Sequence, residues 1–323
     1  MTKNNIHLEL ADSIYIEMSQ LIEATKGRFI YCLPRNKDIA VFVQNMKFFS
    51  SVQVIELPEY DGSIFDNTEP TEKVIGQRVE ALSQIYQCAH CLIVTTPKAM
   101  MQKIVNPSFI SNRGIDISAG QNIDIEDFQY LLQEAGYNRV SIASSLGDYA
   151  LRGEIVDVVA TGYKGYRIGF DFDSIEFVKN FDLSTQLSND QNIGSVQINV
   201  FNEIFINQQC LQHFQEALDK GLFSCSPLER EMILSNSKAA PFLRYYPVFF
   251  AFNCKSILQW VKGVKLLADD NFDNICNRAK AEIESDYALE NEDEYFLPDL
   301  QQYFDFSVAT KEKFAVFSLL TKY

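Results

Sequence analysis

The sequence predicts a mixed α/β chain, in which helices cover both faces of a parallel sheet and a small α+β unit is inserted. Three observations carry this expectation. Short apolar runs rich in β-formers recur at residues 28–33, 52–57 and 91–95. Between the last two, Val74, Ile75, Val79, Leu82 and Ile85 fall at helical spacing; buried strands alternating with helices imply a parallel sheet. After about residue 115 the pattern changes to strand-like pieces punctuated by turn residues such as Gly162 and Gly165.

Taken in order, the strand at 28–33 is followed by Pro34 and a helical pattern through Phe49. The strand at 52–57 leads to a helix at 72–86, then to the strand at 91–95, and Pro97 suits the first turn of another short helix. Residues 124–135 read as a helix ended at Gly136, where a residue without Cβ tolerates a left-handed backbone. Strands are expected at 140–143, 154–159, 166–170 and 175–178. Mixed α/β character resumes at 189, with a strand at 196–200, a helix at 208–218, an aromatic buried strand at 247–252 and a polar helix at 269–289. The tail after Pro298 carries weak signals, and no internal repeat or low-complexity tract is found.

Composition narrows the function classes. The 323 residues are 47% hydrophobic, enough for a core, yet no run of about 18 apolar residues could form a membrane helix. The start, MTKNNIHLEL, has no signal-peptide pattern, and seven cysteines without a framework read as reduced thiols of a cytoplasmic protein. With 28 Lys and Arg against 43 Asp and Glu, the net charge is −15 and no basic cluster is visible. That balance favours a protein partner over DNA.

Known chemistries find little support. A P-loop needs G-x-x-x-x-G-K-[ST] so that backbone N–H groups and a lysine cradle phosphates; the sequence contains no Gly-Lys dipeptide and no G-x-G-x-x-G. Before the first sheet strand stands Ala24-Thr25-Lys26-Gly27-Arg28, whose Lys26 and Arg28 could touch an anion but lack the glycine scaffold. The histidines are His7, His90 and His213. Cys88-Ala89-His90-Cys91 packs three potential zinc ligands together without the second pair a structural site wants, so a helix end entering a strand is the favoured reading. The carboxylates at 290–294 read as solvated surface. No catalytic residue, metal site or cofactor is expected.

The most informative stretch is 137–188. It reads GDYALRGEIVDVV at 147–159 and YRIGFDFDSIEFVKNFDLSTQLS at 166–188, preceded by Gly136-Tyr137-Asn138-Arg139-Val140. This closely resembles the domain shared by bacterial UvrB and the transcription-repair coupling factor family, Mfd, where the pattern runs GY-x-R-V, G-E-F-A-V-R-G-x-I-x-D-I-F, Y-R-I-E-F-F-x-D-E-I-E-S-I-R-x-F-D and T-Q-R-S. YDGSIFDNTEPTEKVIGQRVEAL at 60–82, IVTTPKAMMQKIVNP at 93–107 and Thr185-Gln186 resemble Mfd more than UvrB, with weaker similarity in RYYPVFF at 244–250 and FLPDLQQYF at 296–304.

The resemblance implies a degenerate P-loop-NTPase-like parallel core without nucleotide: domain 1a at 1–115, an inserted UvrA-binding-type domain 2 at 116–188, and domain 1b with a C-terminal tail at 189–323. It implies a non-catalytic module that docks UvrA and regulates a separate or downstream translocase motor. RNA polymerase and DNA would be reached only through regions outside this chain. The alternative is a UvrB-like nucleotide-dependent DNA-binding enzyme. Arg139, Arg152 and Arg167 match the family's UvrA-facing arginines, and Asp171 stands where the family has a partner-contacting Phe. For Arg152 a second reading stays open, a purely structural pair with Asp157. Further departures are Gly169 for Glu, Asp173-Ser174 for Asp-Glu, Lys179 for Arg and Leu187 for Arg.

Overall fold

Alternation along Arg28–Cys32 (β1) is the key to how the first sheet is buried. Phe29 and Tyr31 join one apolar cluster with Met18, Ile22, Phe42 and Met46, while Ile30 and Cys32 join another with Ile55, Leu82 and Ile93. Successive side chains of a strand point to opposite faces, so both faces of this sheet are covered. The computed structural model describes residues 13–317 except 67, 205, 236, 238, 239, 292 and 293; the N-terminal decapeptide with His7, and Glu292 and Asp293 of the carboxylate stretch, therefore lie outside the described residues.

Helix α1 (Ser13–Thr25) precedes β1, and α2 (Asn36–Phe49) connects it to β2 (Gln53–Leu57). In α2 the buried residues are Ile39, Phe42, Val43 and Met46, the single stripe expected of a helix lying on a sheet. Helix α3 (Glu72–Gln87) leads to β3 (Cys91–Thr95), whose five residues are all buried. Then come α4 (Pro97–Met101), β4 (Lys103–Ile104), α5 (Pro107–Ser111) and β5 (Ile115–Ser118). Helix α6 (Ile125–Glu134) is capped by Asp124, whose carboxylate accepts from Asp127 N, and the chain leaves it through Gly136 at φ +89°.

Six strands follow: β6 (Asn138–Val140), β7 (Asp148–Arg152), β8 (Ile155–Ala160), β9 (Lys164–Asp171), β10 (Ser174–Phe181) and β11 (Ser188–Asn192). They form one sheet in the order β11-β10-β9-β8-β7-β6, antiparallel except where β6 and β7 run parallel. Its inner face carries Tyr149, Val156, Val158, Ile168 and Phe170, and the Phe170 ring lies 5.6 Å from that of Phe128 on α6. β12 (Ser195–Ile198) then pairs antiparallel with β5, so the strands entering and leaving the six-stranded unit close it at its neck. Beyond lie α7 (Gln208–Asp219), α8 (Pro227–Leu234), α9 (Tyr246–Phe249), β13 (Lys255–Ser256), α10 (Ile257–Trp260), β14 (Lys265–Asp269), α11 (Phe272–Glu290) and β15 (Ala315–Phe317). The first sheet, in order β15-β14-β1-β3-β2, is parallel throughout. Among the described residues no helix is long and apolar enough to cross a membrane.

The mixed α/β class and the parallel sheet agree with expectation, and three local readings are corrected. Residues 247–252 are not a strand: Pro247 lies in the first turn of the short α9, and the chain turns through Ala251 and Phe252 at φ +49° and +58°. Tyr246, Pro247, Val248 and Phe249 are all buried, so no periodicity distinguished helix from strand there. The helix expected from 269 begins only at Phe272, because Lys265–Asp269 is the buried strand β14 beside β1. The strand expected at 140–143 stops at Val140, where the chain bends to bring Ser144 N and Ser145 N onto the Asp148 carboxylate at 3.1 and 2.7 Å.

Candidate functional site

The outer face of the six-stranded sheet gathers the basic residues singled out by sequence. Register places Ala150 opposite Asp157, Asp157 opposite Arg167, and Arg167 opposite Lys179, so these share one face; Arg152, two residues from Ala150, and Asp171, four from Arg167, share it too. Arg139 pairs with Tyr149 and so belongs to the opposite face, at the exposed edge strand β6. Three of the four expected contact residues are thus brought together, and Arg139 is set apart.

Asp157 organises the face. Its side chain is fully buried and accepts two hydrogen bonds from Arg167, Nε to Oδ1 at 2.7 Å and Nη2 to Oδ2 at 2.9 Å. This bidentate geometry fixes the guanidinium plane, and the hydrogen bonds hold the Arg167 pKa above its ordinary value. The guanidinium also lies 5.2 Å from the Phe181 ring centre. Arg152 approaches the same carboxylate at 3.9 Å, a contact too long to pin it, and its side chain remains 41% exposed. Arg152 thus leans on Asp157 while remaining part-exposed to solvent.

Gln186, in the turn after β10, ties the two arginines. Arg152 Nη2 donates to Gln186 Oε1 at 3.1 Å and Arg167 Nη2 donates to Gln186 O at 3.2 Å. The Gln186 amide in turn donates to Ala143 O and Leu183 O at 3.2 and 3.0 Å, which offsets its left-handed backbone at φ +61°. Asp182 holds the turn by accepting from Ser184 and Thr185, and those hydrogen bonds lower its pKa to about 2. Sequence reasoning quoted Gln186 only within a motif. Its bridging role depends on contacts 34 and 43 residues distant in the chain, which no local pattern encodes.

Gly169 has a reason to be glycine. A Cβ there would fall on the Phe177 ring, which lies across the bare backbone with Lys179 Nζ 4.9 Å from its centre. Gly169→Glu, the substitution that restores the family's residue, is expected to destabilise the protein by about 1–3 kcal/mol, as overpacking generally does. A urea midpoint unchanged from the wild type would show that the ring swings aside freely.

The other candidate groups have structural placements. Helix α3 ends at Gln87 and β3 begins at Cys91, as expected of Cys88-Ala89-His90-Cys91; Cys88 Sγ donates to His90 O at 3.1 Å, and burial pushes the Cys91 thiol up to about 12. Among the described residues no three His, Cys, Asp or Glu side chains are arranged to hold a metal. His213 Nδ1 lies 3.0 Å from Phe249 O. Lys26 and Arg28 sit at the N-terminal end of β1, with Lys265 Nζ donating to Lys26 O and Arg28 Nε to Cys88 O.

A six-stranded, mostly antiparallel sheet backed by α6 and set beside a five-stranded parallel sheet defines the class: a mixed α/β protein with a second, largely antiparallel unit. Residues 115–201 match the family described as the UvrB interaction domain. Around that match the chain is similar to transcription-repair-coupling factors. That of Rickettsia prowazekii is 27% identical over 253 residues, 77% of this chain and 22% of the relative. That of Rickettsia typhi is 25% identical over 250 residues, 74% of the chain and 22% of the relative. A Staphylococcus epidermidis protein of the same name is 25% identical over 176 residues, 54% of the chain and 15% of the relative. The resemblance to the N-terminal module of the coupling factors is thereby borne out over about three quarters of the chain, and the chain spans about a fifth of the length of the curated relatives it matches.

Proposed function

We propose that this chain is a non-catalytic, cytoplasmic protein-interaction module of transcription-coupled nucleotide excision repair. It docks UvrA through the outer face of the inserted domain and regulates a separate or downstream translocase motor. The carrying observation is the coincidence of the UvrB interaction domain match with the face on which Arg152 and Arg167 share one buried carboxylate, Asp157, with Lys179 opposite Arg167 on the next strand. In a chain of net charge −15 such a face selects a carboxylate-bearing surface on a partner. Arg152, part-exposed and held by a single hydrogen bond to Gln186 and a long approach to Asp157, is the residue that can exchange those contacts for a new bidentate pair, with Arg167 held by Asp157 beside it. Asp171 lies further along the same face, and Arg139 contributes from the sheet edge. The domain layout proposed is 1–115, 116–188 and 189–323.

The parallel core is read as a degenerate P-loop-NTPase-like fold without nucleotide. In open α/β sheets ligands sit at the carboxyl ends of the strands. There β1 runs into Leu33-Pro34-Arg35 rather than a glycine loop, and Arg35 is already engaged by Asp38 at 2.7 and 2.9 Å. Glu59 follows β2, its pKa raised by burial, and accepts from Thr96 Oγ1 at 2.9 Å; a carboxylate at that edge repels phosphate. Lys26 and Arg28 stand at the opposite end of the sheet.

The test is titration of the purified chain with UvrA from the same organism. Binding in the micromolar range or tighter is expected, and Arg152→Ala should weaken it by at least about 1 kcal/mol. Absence of binding to UvrA would sink the docking role. Measurable ATP binding would favour a nucleotide-dependent enzyme instead.

A further inference from the structure

The hairpin between β9 and β10 turns through Phe172 and Asp173, with Asp171 paired to Ser174 across it. Phe172 is 89% exposed and has a left-handed backbone at φ +50°. Two-residue hairpin turns favour Asn, Asp or Gly where φ is positive, because a bulky side chain crowds its own backbone there. A phenylalanine at such a place destabilises the turn twice, by backbone strain and by exposed apolar surface. Gln186 shares the left-handed conformation but is compensated by the hydrogen bonds of its amide. Among the described residues the Phe172 side chain has no ring, hydrogen-bonding or charged partner. The fold therefore gains nothing from this ring.

The Phe172 hairpin lies at the same end of the sheet as Arg152, since Arg152 pairs with Ile155 and Ile155 with Gly169, and the exposed carboxylates Asp171, Asp173 and Glu176 flank Phe172 along the chain. We propose that Phe172 is an apolar anchor of the docking surface, inserting into an apolar socket of the partner protein whose rim carries arginine or lysine. The surface is then bipartite: its cationic half meets carboxylates, and its acid-flanked ring meets a basic-rimmed pocket. Opposite charge demands at the two ends fix the orientation of the partner. This rests on the docking reading above, with UvrA as the partner.

The experiment compares wild type, Phe172→Asn, Phe172→Leu and Arg152→Ala for UvrA affinity by calorimetry and for melting temperature. Asparagine suits the left-handed backbone, so Phe172→Asn should melt above the wild type while binding UvrA roughly tenfold or more weakly. Phe172→Leu, still apolar, should keep part of the affinity. Affinity of Phe172→Asn within about twofold of wild type, with Arg152→Ala weakened, overturns the anchor and leaves the docking reading intact. Weakened binding accompanied by a lower melting temperature means a damaged hairpin and also overturns it. Failure of the wild type to bind UvrA removes both.

Discussion

Glu203→Ala should lower the stability of the protein by about 3–5 kcal/mol, because it strips the counter-charge from a fully buried arginine. Arg78, on α3, has no solvent exposure, and the Glu203 side chain has 4%. Arg78 donates through Nε and Nη2 to the two Glu203 oxygens and through Nη1 to Pro58 O at 2.7 Å. Tyr60 donates to the same carboxylate, and its ring lies 4.1 Å from the guanidinium. Burial works against the Arg78 charge, yet Glu203 and Tyr60 together hold its pKa above the ordinary arginine value. The damage would be local as well as global. Glu203 follows the strand that closes the neck of the inserted domain, and α3 also meets that domain through Gly76 against Leu146 and through Glu80 near Lys164. Replacing both charges, as in Arg78→Met with Glu203→Leu, should recover most of the loss, since two apolar groups leave no orphan charge. Denaturant unfolding of the single and double variants checks this; equal instability of the two would assign the effect to packing.

Asp157→Ala is expected to destabilise by about 2–3 kcal/mol, less than Glu203→Ala because Arg167 keeps 16% exposure and can turn to water. It should also weaken UvrA binding more than Arg152→Ala does, since both arginines rest on that carboxylate. Asp157→Asn keeps the shape but removes the charge, and should fall between the two for stability. Urea midpoints and UvrA titrations on the three variants separate the contributions. If Asp157→Ala binds UvrA as the wild type does once corrected for the fraction folded, the arginines do not need their support.

How much of this was legible before the fold was known depended on range. The helices 36–49, 72–87, 125–134 and 208–219 and the strands 28–32, 53–57 and 91–95 follow from local periodicity, which a linear reading captures. Lys265–Asp269 was missed because five residues running into an acidic helix carry no period of their own; pairing with β1, more than two hundred residues away, makes them a strand. The aromatic run at 246–249 failed for the converse reason, being buried on every side. At the site, Arg152 and Arg167 were visible as motif positions; away from it, Arg78 stood within the quoted segment 60–82 and Glu203 in none, and the burial of the pair was not legible. Neither has a neighbour in sequence that marks it for burial, and their pairing spans 125 residues.

The sequence by itself determined the alternation of strands and helices, the lack of a glycine loop, the acidic balance and the motif that relates residues 137–188 to the UvrB interaction domain. Those are properties of composition and short-range order. Only the tertiary structure decided which arginines share a face. Register within the six-stranded sheet sends Arg152, Arg167 and Asp171 to one face and Arg139 to the other, because side chains alternate along each strand and cross-strand partners share a face. It also decided that one carboxylate, Asp157, would be buried beneath two guanidinium groups, and that Phe172 would stand bare at the Arg152 end of that sheet.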